Sequence, residues 1–562
     1  MAYDLVIKNG TIVDGSGKPR FHGDVAIEGT KVAEDGKVTG SAKRTIDASD
    51  LVVAPGFVDP HTHYDAQVFW DPMFSCSSWH GVTSVVTGNC GFTLAPCKPE
   101  DRPYLTHMLA VVEDMPLPAL QAGLPWEWDD YSSFIDAIDR RPKAINMGCY
   151  IGHSAVRRNV MGEDCRRTAT ADEVARIQQV VAAGLKAGAL GFSSSRIPVH
   201  VDGEGKSVPS AFADMNELTA VARAMRQVNR GVMEFTAKLV LHPRGNEDVG
   251  DLPELVSLAK ESQRPLTFVS VRYMPRYPER SLHILSETAK VAAANSVRLY
   301  PQMGCRRFGM YLNWNKLMPP FAHHPAWRKV MFLRGVERIA ALSDPATRAE
   351  MRSELAADTA FNGWSYMLVK EAKRPDHKSL EGQSIAAIAA SLGKDPFETY
   401  LDLCVTEDCA VDFDYLMFDT EDSVLGKMLK DPNVLLETDA GAHLATLCNA
   451  DFPSYLLSHW VRETSVLSIE EAVARITSHP AEVFGLRDRG NLKPGYAADI
   501  VIFDPQRVGT GRSSLVRDLP AQQARLIRES EGIHTVIVNG SPILEGGQPT
   551  GETPGQVLRG ES

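Results

Sequence analysis

Gly56-Phe57-Val58-Asp59-Pro60-His61-Thr62-His63-Tyr64-Asp65 follows directly on the apolar run Leu51-Val52-Val53-Ala54-Pro55, and its reading decides the fold. In a β-strand, residues i and i+2 point to the same face. His61 and His63, at the C-terminal end of such a strand, therefore converge on one point. Imidazole is the commonest neutral ligand for zinc and similar divalent ions, so the pair predicts a metal site at a strand end.

Outward from this strand the chain alternates strand-like and helix-like runs. Thr83–Gly88, Ala144–Tyr150, Ala189–Phe192, Gly231–Phe235, Pro265–Val269, Val297–Tyr300 and Val434–Asp439 read as strands. Residues 171–187 read as a helix, because Val174, Ile177, Val180, Val181 and Leu185 recur at helical spacing after the acidic opening Asp172-Glu173. A further helix is expected over 469–477. Repeated β-then-α units over about 420 residues imply a parallel sheet, and at this length a TIM-like (β/α)8 barrel in the α/β class. Weaker periodicity and many aromatics mark 305–425 as an insertion capping the barrel mouth.

Both ends of the chain carry short strands with turn chemistry instead. Asp4–Gly10 ends on Asn-Gly, Thr11–Gly15 on Asp-Gly, and His534–Gly540 on Asn-Gly again. Neither end is large enough to hold a core alone. The two are expected to pair into one small β-sandwich, from 1–55 and 485–562, beside a barrel over 56–484.

Composition narrows the class of function. With 71 acidic against 59 basic residues the net charge is -12, which argues against a nucleic-acid surface. No run approaches the roughly 18 apolar residues of a membrane span, and Met1-Ala2-Tyr3-Asp4 does not open like a signal peptide. Nine cysteines without a paired pattern fit free thiols in a reducing cytoplasm. The expectation is a cytoplasmic protein acting on a small molecule, with no nucleic-acid or membrane partner; the sequence leaves a homo-oligomer open.

In a barrel of this kind chemistry sits at the C-terminal strand ends. Cys90 follows the strand containing Val85-Val86 and is either a thiolate ligand or a small buried apolar residue. Asp439 follows Val434-Leu435-Leu436. A carboxylate buried there is costly unless it meets a cation, the alternative being a helix cap.

The order His-x-His, then Gly88-Asn89-Cys90-Gly91, then Thr438-Asp439-Ala440-Gly441 resembles the N-acyl-D-amino-acid deacylase (D-aminoacylase) family of the amidohydrolase superfamily. Gly152–Gly162, Gly188–Ser194 and Ser478–Asp499 carry further matches. The resemblance implies that His61, His63, Cys90 and Asp439 contact a divalent metal, with Asp439 also the general base. Zinc is the expected ion, and His and Asp ligands serve iron and manganese as well. Family members add two histidines from the fifth and sixth strands. Here those strands read Met233–Lys238 and Leu266–Arg272 without histidine, and His242 and His283 lie beyond them. One tightly bound ion is therefore expected, with Lys238 a remote candidate for a bridging carbamate.

The implied reaction is hydrolysis of an amide-type C–N bond. His153 and His443 are candidate donors to a developing oxyanion, and Arg157 and Arg196 candidate grips for a substrate carboxylate. Phe235 and Phe268, with Arg272 and with Trp314, Trp327 and Trp364 of the insertion, suggest a bulkier or cyclic substrate. A lactone or cyclic-amide hydrolase, a metal-dependent lyase and a non-catalytic scaffold remain as alternatives.

Overall fold

The structure is a computed structural model that describes residues 2–197, 200–238, 245–314, 321, 324–358, 361–444 and 446–560. Eight parallel strands form the barrel: β1 (Phe57–Thr62), β2 (Val82–Thr87), β3 (Asn146–Gly152), β4 (Gly191–Ser195), β5 (Val232–Thr236), β6 (Leu266–Val269), β7 (Leu299–Met303) and β8 (Leu435–Leu436). Each pairs with the next in chain order. The seam between β8 and β1 closes just past β8, where the Asp439 N–H donates to the His61 carbonyl at 3.1 Å and the His63 N–H to the Ala440 carbonyl at 2.7 Å. The helix expected over 171–187 runs Ala171–Lys186, opened by a reciprocal Thr170–Glu173 capping box and buried through Ile177, Val181 and Leu185.

The barrel interior is layered, and the layers turn from apolar to polar along each strand. Val58, Val86, Tyr150, Val232 and Leu435 belong to one buried cluster in the lower lumen, with half-buried Tyr300 packed against it. Two residues further on, the same strand faces carry Glu234, Gln302 and Glu437, and beyond these Thr236 and Asp439. On β1 a strict period of two would put Val58 and His61 on opposite faces. The pairing with β2 slips between Asp59 and Thr62, and this irregularity lets both point inward.

Both chain ends contribute to a single nine-stranded sheet in which Val52–Pro55 pairs with Ile500–Phe503. Leu5, Ile7, Val25, Ile27, Ile500, Ile502 and Ile537 form its own core, while Ala54, Val501, Phe503 and Val536 join the barrel's. Asn539-Gly540 is the expected two-residue hairpin turn, with φ of 45° and 82°. Asn9-Gly10 is not a turn. One strand, Tyr3–Ile12, runs through it with a bulge, because Gly10 passes so close to Val53 that a Cβ would lie 2.5 Å from its methyl. Two C-terminal pieces leave this sheet: the hairpin Gly509–Leu519/Gln523–Glu531, and Val557–Leu558, which pairs with β3.

The chain between β7 and β8 builds a three-stranded antiparallel sheet from Phe308–Leu312, Met367–Glu371 and Asp412–Phe418, with helices Pro325–Phe332, Gly335–Ser343, Pro345–Ala357, Ile385–Leu392 and Pro396–Thr406 among the described residues around it. It has its own hydrophobic core. Trp314 and Trp327 are fully buried in that core with Phe321 and Tyr400, and Trp364 packs against it. The three indoles thus take the core role that is commoner for such residues, and do not line a substrate pocket.

Candidate metal centre

His61 and His63 present their Nε2 atoms to one carboxylate oxygen. Asp439 Oδ1 lies 3.0 Å from His63 Nε2 and 3.7 Å from His61 Nε2. Cys90 Sγ completes the cluster at 3.5 Å from His61 Nε2. The orientation of His61 is fixed by a relay. The Thr267 hydroxyl donates to the Tyr300 carbonyl, so it accepts from the Gln302 amide nitrogen at 2.8 Å; the Gln302 oxygen then takes the His61 Nδ1–H at 2.8 Å. Nε2 is thereby left with its lone pair directed into the cluster. Behind His63 stands Glu113, Oε1 3.3 Å from Nδ1, at the C-terminal cap of the helix Arg102–Val112.

Backbone geometry delivers the other two donors. Cys90 and Asp439 both adopt left-handed φ, 58° and 65°, a conformation that costs a non-glycine residue about 1–3 kcal/mol and persists only where surroundings impose it. Gly441 follows with φ of 88° and lies so near His63 that a Cβ would sit 2.8 Å from the His63 backbone. The Cys90 N–H donates to Glu234 Oε2 at 2.9 Å.

The concentration of buried carboxyl groups around the cluster suits it to a cation. Asp59, Asp65, Glu113, Glu234 and Glu437 are buried around the cluster with Asp439 half-buried in it, and the guanidinium supplied from β6 and its following loop, Arg272, is already shared by Asp419 and Glu437 at 3.0 and 2.7 Å. Burial opposes charge on His63, yet Glu113, Asp439 and Asp65 outweigh it and lift the imidazole to about 10. On Asp439 burial is likewise overcome, by His63, His443 and His61, which hold the carboxyl well below the usual range. Burial pushes Glu234 up to about 8 and Glu113 to about 7. Neither ring nitrogen of His63 has a hydrogen bond of good geometry, and Glu234 Oε1 is buried without a partner. Two donor sets, His61–His63–Cys90 and His63–Glu113–Asp439, each bring their ligand atoms within 4.8 Å of one another. Imidazole, thiolate and carboxylate at this spacing fit a divalent ion.

The remaining expected residues lie as follows. His443 is at the mouth, Nε2 3.8 Å from Asp439 Oδ2. His153 is fully buried with both ring nitrogens taken, by Ser194 at 2.8 Å and Glu217 at 2.7 Å, so it has no atom to offer an oxyanion. Arg157 binds the same Glu217 and the Cys165 and Arg167 carbonyls, and is structural as well. Arg196 is buried against Asp251 and Glu254. Lys238 is exposed beyond β5, away from the cluster. His283 sits on the helix Arg280–Asn295, and His242 lies outside the described residues. Because Glu234 and Thr236 face the lumen, Phe235 between them faces the surrounding helices; Phe268, beside lumen-facing Thr267, does the same. These aromatics do not shape a substrate pocket, and Arg272 is committed to its two carboxylates. The pattern at strand ends did not flag Glu113, Glu234 or Gln302.

The model of the Amidohydrolase family matches residues 44–543. The chain belongs to the amidohydrolase family. Over 99% of its length it is 27% identical to the D-aminoacylase of Alcaligenes xylosoxydans xylosoxydans, covering 97% of that protein. The crystal structure of N-acyl-D-glutamate deacylase from Bordetella bronchiseptica, complexed with zinc and a phosphonate mimic of the tetrahedral intermediate, superposes with a TM-score of 0.69 at 25% identity over the whole of both chains. A D-aminoacylase structure described by its binuclear centre, with one-metal activation and second-metal attenuation, gives 0.66 at 26% identity, covering 99% of this chain and 100% of that one. As a divergent member of this group the chain is a metal-dependent hydrolase of C–N bonds other than peptide bonds, acting on a small molecule. Among the described residues no helix is long and apolar enough to cross a membrane.

Proposed function

We propose that the chain hydrolyses an N-acyl amino acid of the kind its deacylase relatives are named for, using one ion, zinc for preference, held by His61, His63, Cys90 and Asp439. The observation that carries this reading is the convergence of both Nε2 atoms on Asp439 Oδ1, with Cys90 Sγ 3.5 Å from His61 Nε2 and Nδ1 of each imidazole backed by Gln302 or Glu113. A single ion is favoured because β5 and β6 bring Glu234, Thr236 and Thr267 to the lumen and no imidazole.

When bound, a divalent ion supplies Lewis acidity and makes water a competent nucleophile near neutral pH. The residues divide the remaining work. Asp439 Oδ1 faces the imidazoles, while Oδ2 is turned to His443 at the mouth. Its carboxylate stays ionised and can take a proton from the attacking water. It then returns that proton to the leaving nitrogen. His443, partly exposed beside it, is placed to donate to substrate oxygen. Asp65, fixed by the Thr87 hydroxyl at 2.5 Å and the Gly88 N–H at 3.1 Å, holds β1 against β2 behind the cluster.

With the aromatic residues facing elsewhere, a bulky or cyclic substrate is not part of the proposal. Metal analysis of the purified protein, joined to a panel of N-acyl-D- and N-acyl-L-amino acids and cyclic amides, tests it. One ion per chain and turnover confined to the N-acyl amino acids is the expected result. Two tightly bound ions would overturn the single-ion reading, and turnover of cyclic amides alone would overturn the substrate class.

A further inference from the structure

A cavity of about 270 Å³ lies at the same end of the barrel as the metal centre and is lined by the insertion, the chain after β7, the chain after β8 and the C-terminal hairpin. Its walls carry Arg306, Arg307, Lys370 and Arg528 against one carboxylate, Asp414, with Thr446 and Asn449 among the neutral polar groups. The cations outnumber their partners. Arg306 Nη1 takes both oxygens of buried Asp451, at 2.6 and 2.5 Å, and Arg528 Nε stands 3.5 Å from that same carboxylate. Arg307 is 3.5 Å from Asp422, and Lys370 is 3.1 Å from Asp414. One carboxylate thus serves two guanidinium groups and engages a single nitrogen of Arg306. Arg528 Nε is buried with no hydrogen bond. Two guanidinium forks around a polar cavity, with one charge in excess, are the donor set that recognises carboxylate and phosphate.

We propose that this cavity binds a small oxyanion, a carboxylate or a phosphate group, between Arg306 and Arg528, apart from the metal centre. Such an anion braces the segment that carries His443. The Thr446 hydroxyl on the cavity wall donates to Asp114 at 2.9 Å, next to Glu113, and the His443 N–H donates to the Glu113 carbonyl at 2.5 Å. Occupancy therefore ties the insertion and the hairpin to the loop at the barrel mouth.

The test is calorimetric titration of the full-length, metal-loaded protein with inorganic phosphate and with glutarate. One anion per chain is expected, with affinity falling about tenfold or more in Arg528→Gln, as the loss of a charged hydrogen bond implies, and weakening as salt rises. Arg306→Gln alone would strand Asp451, so the double variant Arg306→Gln/Asp451→Asn removes both halves of the pair and is expected to abolish binding with the fold retained. Where turnover is measurable, competition between glutarate and substrate that weakens in Arg528→Gln identifies the anion as the substrate's own distal carboxylate. Its absence identifies a free anion, and either result supports the site. No binding of either anion, or binding unchanged in both variants as for an anion held at the metal, would overturn the proposal.

Discussion

In the mechanism we propose, Asp439 carries two roles on one carboxylate, and its two oxygens separate them. Asp439→Asn keeps the shape but cannot accept a proton, so turnover should fall about 10²–10⁴-fold while the circular dichroism spectrum is unchanged. Full activity in the variant would remove Asp439 from the chemistry. Glu113 acts one bond further out, by orienting His63. Glu113→Gln keeps a hydrogen-bond acceptor without the charge and should weaken metal affinity about 10–100-fold, read by competition with a chelator; unchanged affinity would mean that Glu113 merely fills space. The two residues also mark what sequence can reveal. Asp439, like His61 and His63, sits in a local pattern at a strand end. Glu113 reaches the site from a helix end 50 positions along the chain from His63, and no periodicity connects them. Glu234 was visible in principle: a carboxylate inside the apolar strand Val232–Thr236 must be compensated by something, since burying it alone is expensive. His153 and Arg157 resembled site residues because the same types serve catalysis and buried ion pairs alike. Only the partner, Glu217, decides between the two.

Most strands were legible from alternation and apolar runs, and what misled was the direction of single side chains within them. Phe235 and Phe268 are next to lumen positions in sequence, and one step along a strand is a change of face. The slip at Asp59–Thr62 and the bulge at Asn9-Gly10 are likewise invisible to a period-two reading, because each is imposed by a neighbouring strand. Contacts between elements leave a measurable trace at His80. It ends the short helix Ser77–His80 and bonds both Ser454 and the Arg528 carbonyl of the C-terminal hairpin, at 2.8 and 3.1 Å. Burial, the chief cause, lowers its pKa to about 4 from 6.5. The folded protein thus refuses a proton that the unfolded chain accepts below about pH 6.5, and stability should drop as pH falls from there towards 4, by up to about 1.4 kcal/mol per pH unit. His80→Gln removes this titration. Denaturant midpoints at pH 7 and pH 5 should therefore show the gap between native and variant narrowing at the lower pH. A gap of equal size at both would exclude His80 as a source of acid sensitivity.

At the scale of the molecule the chain ends meet twice. They share the nine-stranded sheet, and the final residues return to the barrel wall, where Val557 and Leu558 pair with Met147 and Gly148 of β3. The shared sheet was legible because strand and turn chemistry recurs at both termini. The return of the tail was not, since two apolar residues carry no periodicity. Leu558 is 8% exposed and packs with Tyr150, Leu190 and Phe484 in the apolar layer of the lower lumen, at the end of the barrel opposite the metal cluster. Removing everything after Pro554 uncovers that layer and strips a strand partner from β3. Burial of a leucine and a valine is worth about 1.5–3 kcal/mol each when complete, and the Gly555 N–H bond to the Lys143 carbonyl is lost with them. The truncated protein should melt several degrees lower in scanning calorimetry while binding the same amount of metal, because polar layers separate the tail from His61 and Asp439. An unchanged melting temperature would show that the tail contributes nothing to closing the barrel. Loss of the metal together with stability would show that the two ends of the barrel are coupled through its lumen, against the layered arrangement described above.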